Sequence, residues 1–285
     1  LGDPERADVL AQTIRFWIKA KDLAAAADTA RRLLAIEGIT ATQRIEAAAQ
    51  LAGIQFMLGD EAAADATARH VLALPGLADA EQGLGYYHLG LLSARMHRFA
   101  AAREAFAETI RLAPALVVKA QTGLADAWAS EGEFGKAADY YRGVGRPADA
   151  AGMMHRQGES GAALALLRET IADGTLHERD RWAALARFMD ICNAANRFED
   201  ARGLLAEYQA GVGDSGYRAR PLMNLLQNAM TRTVYPFAAE AADALGQTGG
   251  LGRDERFLVG LYGVNARAGL GEVAQAVDRA GRHAQ

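Results

Sequence analysis

The chain has 285 residues and a formal net charge of −4, from 31 lysines and arginines against 35 aspartates and glutamates. With no run of five or more like charges, it lacks the electrostatic footprint of a nucleic-acid binder. Hydrophobic residues make up 51% and aromatics only 7%, an alanine-rich composition that suits close helix packing better than a β-sandwich core of Val, Ile and Tyr, so an all-α fold is expected.

Cys192 stands alone, which excludes an intrachain disulfide and a cysteine-rich metal site and fits a reducing cytosol and an envelope compartment equally. No apolar run reaches membrane-spanning length. The chain begins at Leu1 with no charged-then-apolar leader pattern, and it reads as a piece of a longer protein or a processed one.

From the N-terminus, a helical pattern runs to a turn near Lys21-Asp22, after which Ala24 to Ala27 open a second helix. The same order returns at Gly59-Asp60, followed by Ala62 to Ala64. It is clearest in GYYHLGLLSARMHRFAAAREAFAETIRLAP, residues 85 to 114. There Tyr86, Leu89 and Gly90 share one helix and the turn falls at His97-Arg98. Phe99, Ala102, Phe106 and Thr109 lie on the next helix, which Pro114 stops. EGEFGKAADYY, residues 131 to 141, repeats the order, with Trp128 ahead of the turn at Gly132-Glu133 and Phe134, Ala137 and Tyr141 behind it. Further turns fall near Gly158-Glu159, near Asn196-Arg197 in RFEDARGLL, and near Gly269-Leu270, followed by Ala162-Ala163, Ala201 and Ala274. The intervals are 38, 38, 35, 26, 38 and 73 residues, the last holding two units with a degenerate turn near Tyr235. Pro4, Pro147, Pro221 and Pro236 stand where helices begin, and Pro75 and Pro114 where they end.

A large residue, a Leu-Gly pair, a small Ala, an aromatic and a closing Pro at these offsets resemble the tetratricopeptide (TPR) repeat. Ser93 departs from the pattern where the family has an aromatic. The resemblance implies an all-α, right-handed solenoid of about seven to eight helical hairpins spanning residues 1–285. Gly and Ala let two helices approach closely while aromatics fill the groove to the next hairpin. The 26-residue interval, with GVGRP inside it, places a bend or subdivision at residues 143–158.

Other motifs fail on context. GVGDSG satisfies G-x-G-x-x-G with Gly211, Gly213 and Gly216, but ARGLLAEYQA ahead of it reads as a helix where a dinucleotide site needs a strand. The six histidines form no H-E-x-x-H and no i, i+4 pair. Cys192 takes a core position and reads as a buried, inert thiol. No Walker A sequence or catalytic-triad order is present, so the expectation is no enzyme, no cofactor and no metal.

In a TPR stack the first helix of each hairpin lines a concave face. The resemblance places there Arg15 and Lys19, Phe56 and Met57, then Tyr87, Leu91 and Arg95, then Lys119, Thr122 and Asp126, and finally Asp190 and Asn193. This is a mixed groove suited to an extended or helical peptide. The Lys and Asn clamp with which some TPR proteins grip carboxylate-ended chaperone tails is missing, since those positions read Ala11, Arg15, Ala49, Gly53, Tyr87 and Leu91.

The expected function is a non-catalytic protein-protein interaction scaffold within a larger bacterial protein, such as an exopolysaccharide export component. The alternatives are a ligand-sensing solenoid of a cytoplasmic regulator and a self-associating spacer. The expected partner is a protein or peptide, with no nucleic acid and no direct membrane insertion; the self-association alternative rests on the N-terminal end around Ile14, Trp17 and Ile18, since the last helix, GEVAQAVDRAGRHAQ, is polar enough to act as a cap. Periplasm and cytoplasm both remain open.

Overall fold

The structure is a computed structural model, which describes residues 2–197, 200–204, 219–247, 251–272, 274, 276 and 277. Among the described residues there is no β-strand. The chain runs α1 (Asp3–Lys19), α2 (Leu23–Leu34), α3 (Ala41–Met57), α4 (Glu61–Leu72), α5 (Asp79–Arg95) and α6 (Phe99–Leu112). A single 3₁₀ turn at Pro114–Leu116 leads into α7 (Val117–Ser130), α8 (Phe134–Gly143), α9 (Pro147–Arg156) and α10 (Ser160–Ala172). Then follow α11 (Glu178–Ala194), a helical stretch at 200–204, α12 (Ala219–Thr231), α13 (Tyr235–Gly246) and α14 (Arg253–Gly269).

One backbone device closes every hairpin turn. A residue with positive φ ends the first helix: Lys21, Gly59, His97, Gly132, Gly158, Asn196, Thr233 and Gly271. The N–H of the next residue then donates to the carbonyl five positions back, Asp22 to Trp17, Asp60 to Gln55, Arg98 to Ser93 and so on to Glu272 to Arg267, at 2.7–3.0 Å. This 6→1 bond satisfies a helix-end carbonyl that would otherwise be orphaned. The same residue opens the second helix, because its own carbonyl accepts from the N–H four residues on. That acceptor bond always comes from an alanine: Ala26, Ala64, Ala102, Ala137, Ala163, Ala201, Ala238 and Ala276, each with a buried side chain. With one residue serving as the end of one helix and the start of the next, the two helices cross close to the turn, and only a methyl fits between them.

The other ends of four first helices, α1, α3, α5 and α14, share a second device. Glu5, Gln43, Glu81 and Glu255 reach back to accept from the backbone N–H of Gly2, Thr40, Ala78 and Gly252 at 2.8–3.2 Å. Each satisfies a backbone donor at a helix start, and the three glutamates also set an anion against the helix dipole.

Two of the turns lie a little away from where the sequence puts them. The last hairpin turns at Gly271, not at Gly269-Leu270, and the degenerate turn is at Thr233, with Tyr235 opening α13. Gly269 is small for another reason: a Cβ there would sit 2.5 Å from the Tyr235 ring. The short 26-residue interval arises because α8 and α9 have 10 residues each, where the first helices α1, α3, α5, α11 and α14 have 17.

The chain divides into two compact units, Leu1–Gly145 and Arg146–Gln285. In the first, each first helix packs on its own partner and on the second helix of the hairpin before it, and α3, α5 and α7 pack in succession. In the second, α9 packs on α10 and α11, α11 on α10 and α12, and α12 on α13 and α14. Its core gathers Leu167, Leu185, Phe188, Met189, Phe237 and Leu245, all buried.

At two equivalent buried positions bulk sits on one helix or the other in five hairpins, while the second hairpin has alanine at both, Ala52 and Ala68. Where the first helix carries Ile14 or Leu226, the second carries Ala30 or Ala242; where the first carries Gly90, Ala125 or Ala151, the second carries Phe106, Tyr141 or Leu167. The tightest case is Phe106, whose ring would lie 2.7 Å from a Cβ on Gly90 of α5 and 2.5 Å from one on Gly123 of α7. Gly90→Ala is therefore expected to destabilise by about 1–3 kcal/mol in urea unfolding. The double variant Gly90→Ala, Phe106→Leu should lose less than the sum of the two single variants, because the smaller side chain relieves the clash.

Candidate functional site

In the first unit, α3, α5 and α7 present their outward positions side by side. Tyr87, Leu91 and Arg95 lie four residues apart and form one stripe along α5. The Arg95 guanidinium stacks on the Phe56 ring of α3, 5.3 Å from its centroid. It also lies over Gly53, where a Cβ would meet its Nη1 at 3.7 Å, an ordinary contact. Among the described residues Arg95 has no acidic partner and no hydrogen bond. Leu91, one turn before it on α5, and Met57, next to Phe56 on α3, are exposed, at 38% and 41%.

At the other end of the stripe Tyr87 is half-buried and tilts against Phe106 at 6.1 Å. Burial pushes its phenol up from the ordinary value, and the Asp126 carboxylate adds to the shift. Asp126 is exposed and accepts a hydrogen bond from the buried Tyr141 hydroxyl of α8, which holds the carboxylate in place. Thr122 turns its hydroxyl back to the Val118 carbonyl at 2.9 Å, so it is partly spent within its own helix. Lys119 is exposed near His88, whose pKa is lowered by burial first and by Lys119 second. Arg15 and Lys19 are exposed on α1, Arg15 reaching only its own helix at the Ala11 carbonyl.

In the second unit the two predicted residues part company. Asp190 is about half exposed; the partial burial pushes its carboxyl up, and Arg187 opposes that shift. Asn193 is buried at 3%, not presented to a partner, and its amide has no hydrogen-bond partner among the described residues. Sequence reasoning missed Arg187, which lies over Gly152 of α9 with its nitrogens 4.0 Å from both Asp149 and Asp190. No periodic signal marks it, because its approach to Asp149 reaches from α11 across to α9.

Elsewhere, Trp128 is held between two cations, Arg103 at 4.0 Å and Lys136 at 4.3 Å from its ring centroid, which ties α7 to α6 and α8. Ser93, standing where the repeat pattern has an aromatic, is buried beside a cavity of about 430 Å³ lined by Tyr86, Leu89, Ala101 and Glu104. Cys192 is buried, and burial with the nearby Asp200 pushes its thiol up to about 12 against the smaller opposing effect of Arg197 and Arg168. GVGDSG lies outside the described residues, as does most of GEVAQAVDRAGRHAQ. Among the described residues no three His, Cys, Asp or Glu side chains are grouped to hold a metal, and no helix is long and apolar enough to cross a membrane.

What this geometry defines is a TPR-like array of helical hairpins in each unit. Among solved structures the chain is similar to a tetratricopeptide repeat protein from Parabacteroides merdae, at 11% identity over 90% of this chain and 99% of that one, TM-score 0.48. It is also similar to Pseudomonas aeruginosa pilF, at 17% identity over 85% and 91%, TM-score 0.40. A third similarity is to the TPR2AB domain of yeast Sti1 in its complex with pHSP90, at 12% identity over 97% and 99%, TM-score 0.36. At such identities and scores these likenesses carry no argument about function, and the fold rests on the hairpins themselves. No family model matches the chain, and no curated protein matches it.

Two outcomes follow from the titrating groups. His88 has a folded-state pKa below its ordinary 6.5, so the unfolded chain binds more protons there, and stability present above that value is lost as the pH falls through it. Urea midpoints at pH 7.5 and 5.5 should therefore differ more in the native protein than in His88→Gln. Cys192 should react with iodoacetamide at pH 8 only as fast as the protein unfolds, because burial withholds both the thiolate and access to it.

Proposed function

We propose that the chain is a non-catalytic protein-interaction scaffold that holds a protein or peptide on the face lined by the first helices of its first unit, by shape and charge and without covalent chemistry. One observation carries the reading: Arg95, which has no acidic partner among the described residues, is stacked on Phe56, with exposed Leu91 one turn before it and exposed Met57 next to Phe56. A stacked guanidinium has little rotamer freedom left to lose on binding, and exposed apolar groups around it favour a partner that covers them. The alanine-rich repeats of somewhat more than usual length suit a periplasmic solenoid of an exopolysaccharide export system. A β-barrel or leader sequence encoded with this chain would favour that setting over a cytoplasmic regulator.

The test is affinity capture from the native lysate and envelope fraction, with the intact chain as bait beside a Tyr87→Ala, Arg95→Ala variant of unchanged circular dichroism. The expected result is a specific protein retained by the first and lost from the second. Equal retention by both would remove this face as the binding site.

A further inference from the structure

Ser93 is two residues from Leu91 and so about 200° round α5 from it, away from the first-helix stripe. There it lines the cavity of about 430 Å³, a volume within the range of about 300–1,000 Å³ in which small molecules bind. The cavity lies between α4 and α6, with buried Leu89, Ser93 and Ala105 at its floor and exposed Arg69 and Glu104 at its rim. Ser93 is only 2% exposed, yet its hydroxyl has no hydrogen-bond partner among the described residues. A buried hydroxyl left unpaired costs stability, and a bound group that pairs with it recovers that cost.

The next hairpin shows what such a slot holds. Ser93 stands four residues before the turn residue His97, and Trp128 stands four before Gly132. The Trp128 indole lies between Arg103 of α6 and Lys136 of α8, the second helices of successive hairpins, just as the cavity lies between α4 and α6. One hairpin earlier each part of that arrangement is changed. Serine replaces the indole, Ala101 stands where Lys136 does, four residues after the turn, and Asp65 stands where Arg103 does, six after it. The slot at Ser93 therefore lacks both the ring and the cations that sandwich it. Its surroundings are acidic instead. Asp65 is held by Arg69 at 2.7 Å and by Arg98 at 3.5 Å, and Glu108 by Arg111 at 2.6 Å, but Glu104 has no ion-pair partner among the described residues.

We infer that this cavity binds a small indole-like amine, its ring in the place of the missing indole, its ring N–H donated to the Ser93 hydroxyl and its ammonium group at Glu104. Such a ligand brings the two things the slot lacks, a ring and a cation, and uses the two groups the chain leaves unpaired. A free small molecule fits better than a partner's side chain. Among the described residues none of the large exposed hydrophobic side chains is on α4 or α6, so nothing apolar around the rim calls for a protein to cover it.

The test titrates tryptamine against the full chain by NMR, beside methylindole, which lacks the charge, and cyclohexylethylamine, which lacks the aromatic ring. The expected result is that tryptamine binds and the other two bind at least about threefold more weakly. Glu104→Gln should weaken tryptamine about two- to fivefold, as loss of an exposed ion pair does, and leave methylindole unchanged. Ser93→Ala should weaken both indoles and not cyclohexylethylamine. Ser93→Trp, which gives α5 the indole that α7 carries, should keep its circular dichroism and abolish binding. Should that variant not fold, Ala101→Lys, which puts a cation where Lys136 stands, should weaken tryptamine at least about threefold. Absence of tryptamine binding, or binding that the folded variants at positions 93 and 101 leave unchanged, would overturn the inference. Tighter binding of a capped Gly-Trp-Lys-Gly peptide, lost in the same variants, would assign the cavity to a partner's side chain and would also overturn it. None of these outcomes bears on the first-helix face, whose own test uses Tyr87 and Arg95.

Discussion

Everything in the two units depends on a single shared residue at each hairpin turn. Its N–H closes the end of one helix and its carbonyl opens the next, so no linker separates the two helices and their crossing point is fixed by backbone hydrogen bonds. The positive-φ residue before it is the strained element. Four of the eight, Lys21, His97, Asn196 and Thr233, are not glycine, although the left-handed region costs an L-residue about 1–2 kcal/mol. That this cost is met four times shows how firmly the surrounding bonds and buried alanines determine the turn.

From that constraint the rest of the core follows. An alanine must stand where the helices cross, and farther from the turn the helices diverge and larger side chains fill the gap. There the sequence is free to put bulk on either helix, as Ile14 with Ala30 and Gly90 with Phe106 show. The outward positions of the first helices are under no such demand. They are where Arg95, Leu91 and Tyr87 stand, and where a scaffold of this kind can vary without losing its fold.

The sequence made the hairpins readable because the constraint is local. A turn residue followed five positions on by alanine recurs often enough to be counted by eye, and the prolines at helix starts agree with it. Misplacement came where one residue type serves two purposes. Gly269 mimics a turn glycine but is small to admit the Tyr235 ring, while the real turn at Thr233 has no glycine to announce it. At the site, the stripe Tyr87, Leu91, Arg95 was legible from helical spacing, but its chemistry was not. The stacking of Arg95 on Phe56 and the bond from Tyr141 to Asp126 join residues 39 and 15 apart in sequence, and pairings across helices leave no periodic trace. Asn193 shows the same limit, since its helical position is that of a face residue and only the packing of α11 against its neighbours buries it.

The central claim is that partners meet the first-helix face of the first unit and not the opposite, second-helix face. A photo-crosslinking amino acid placed at exposed Met57 on α3, and in a separate variant at exposed Ala107 on α6, tests it in the native cell. The account predicts a discrete cross-linked partner from position 57 and none from position 107. A partner that cross-links from position 107 and not from position 57 would contradict it.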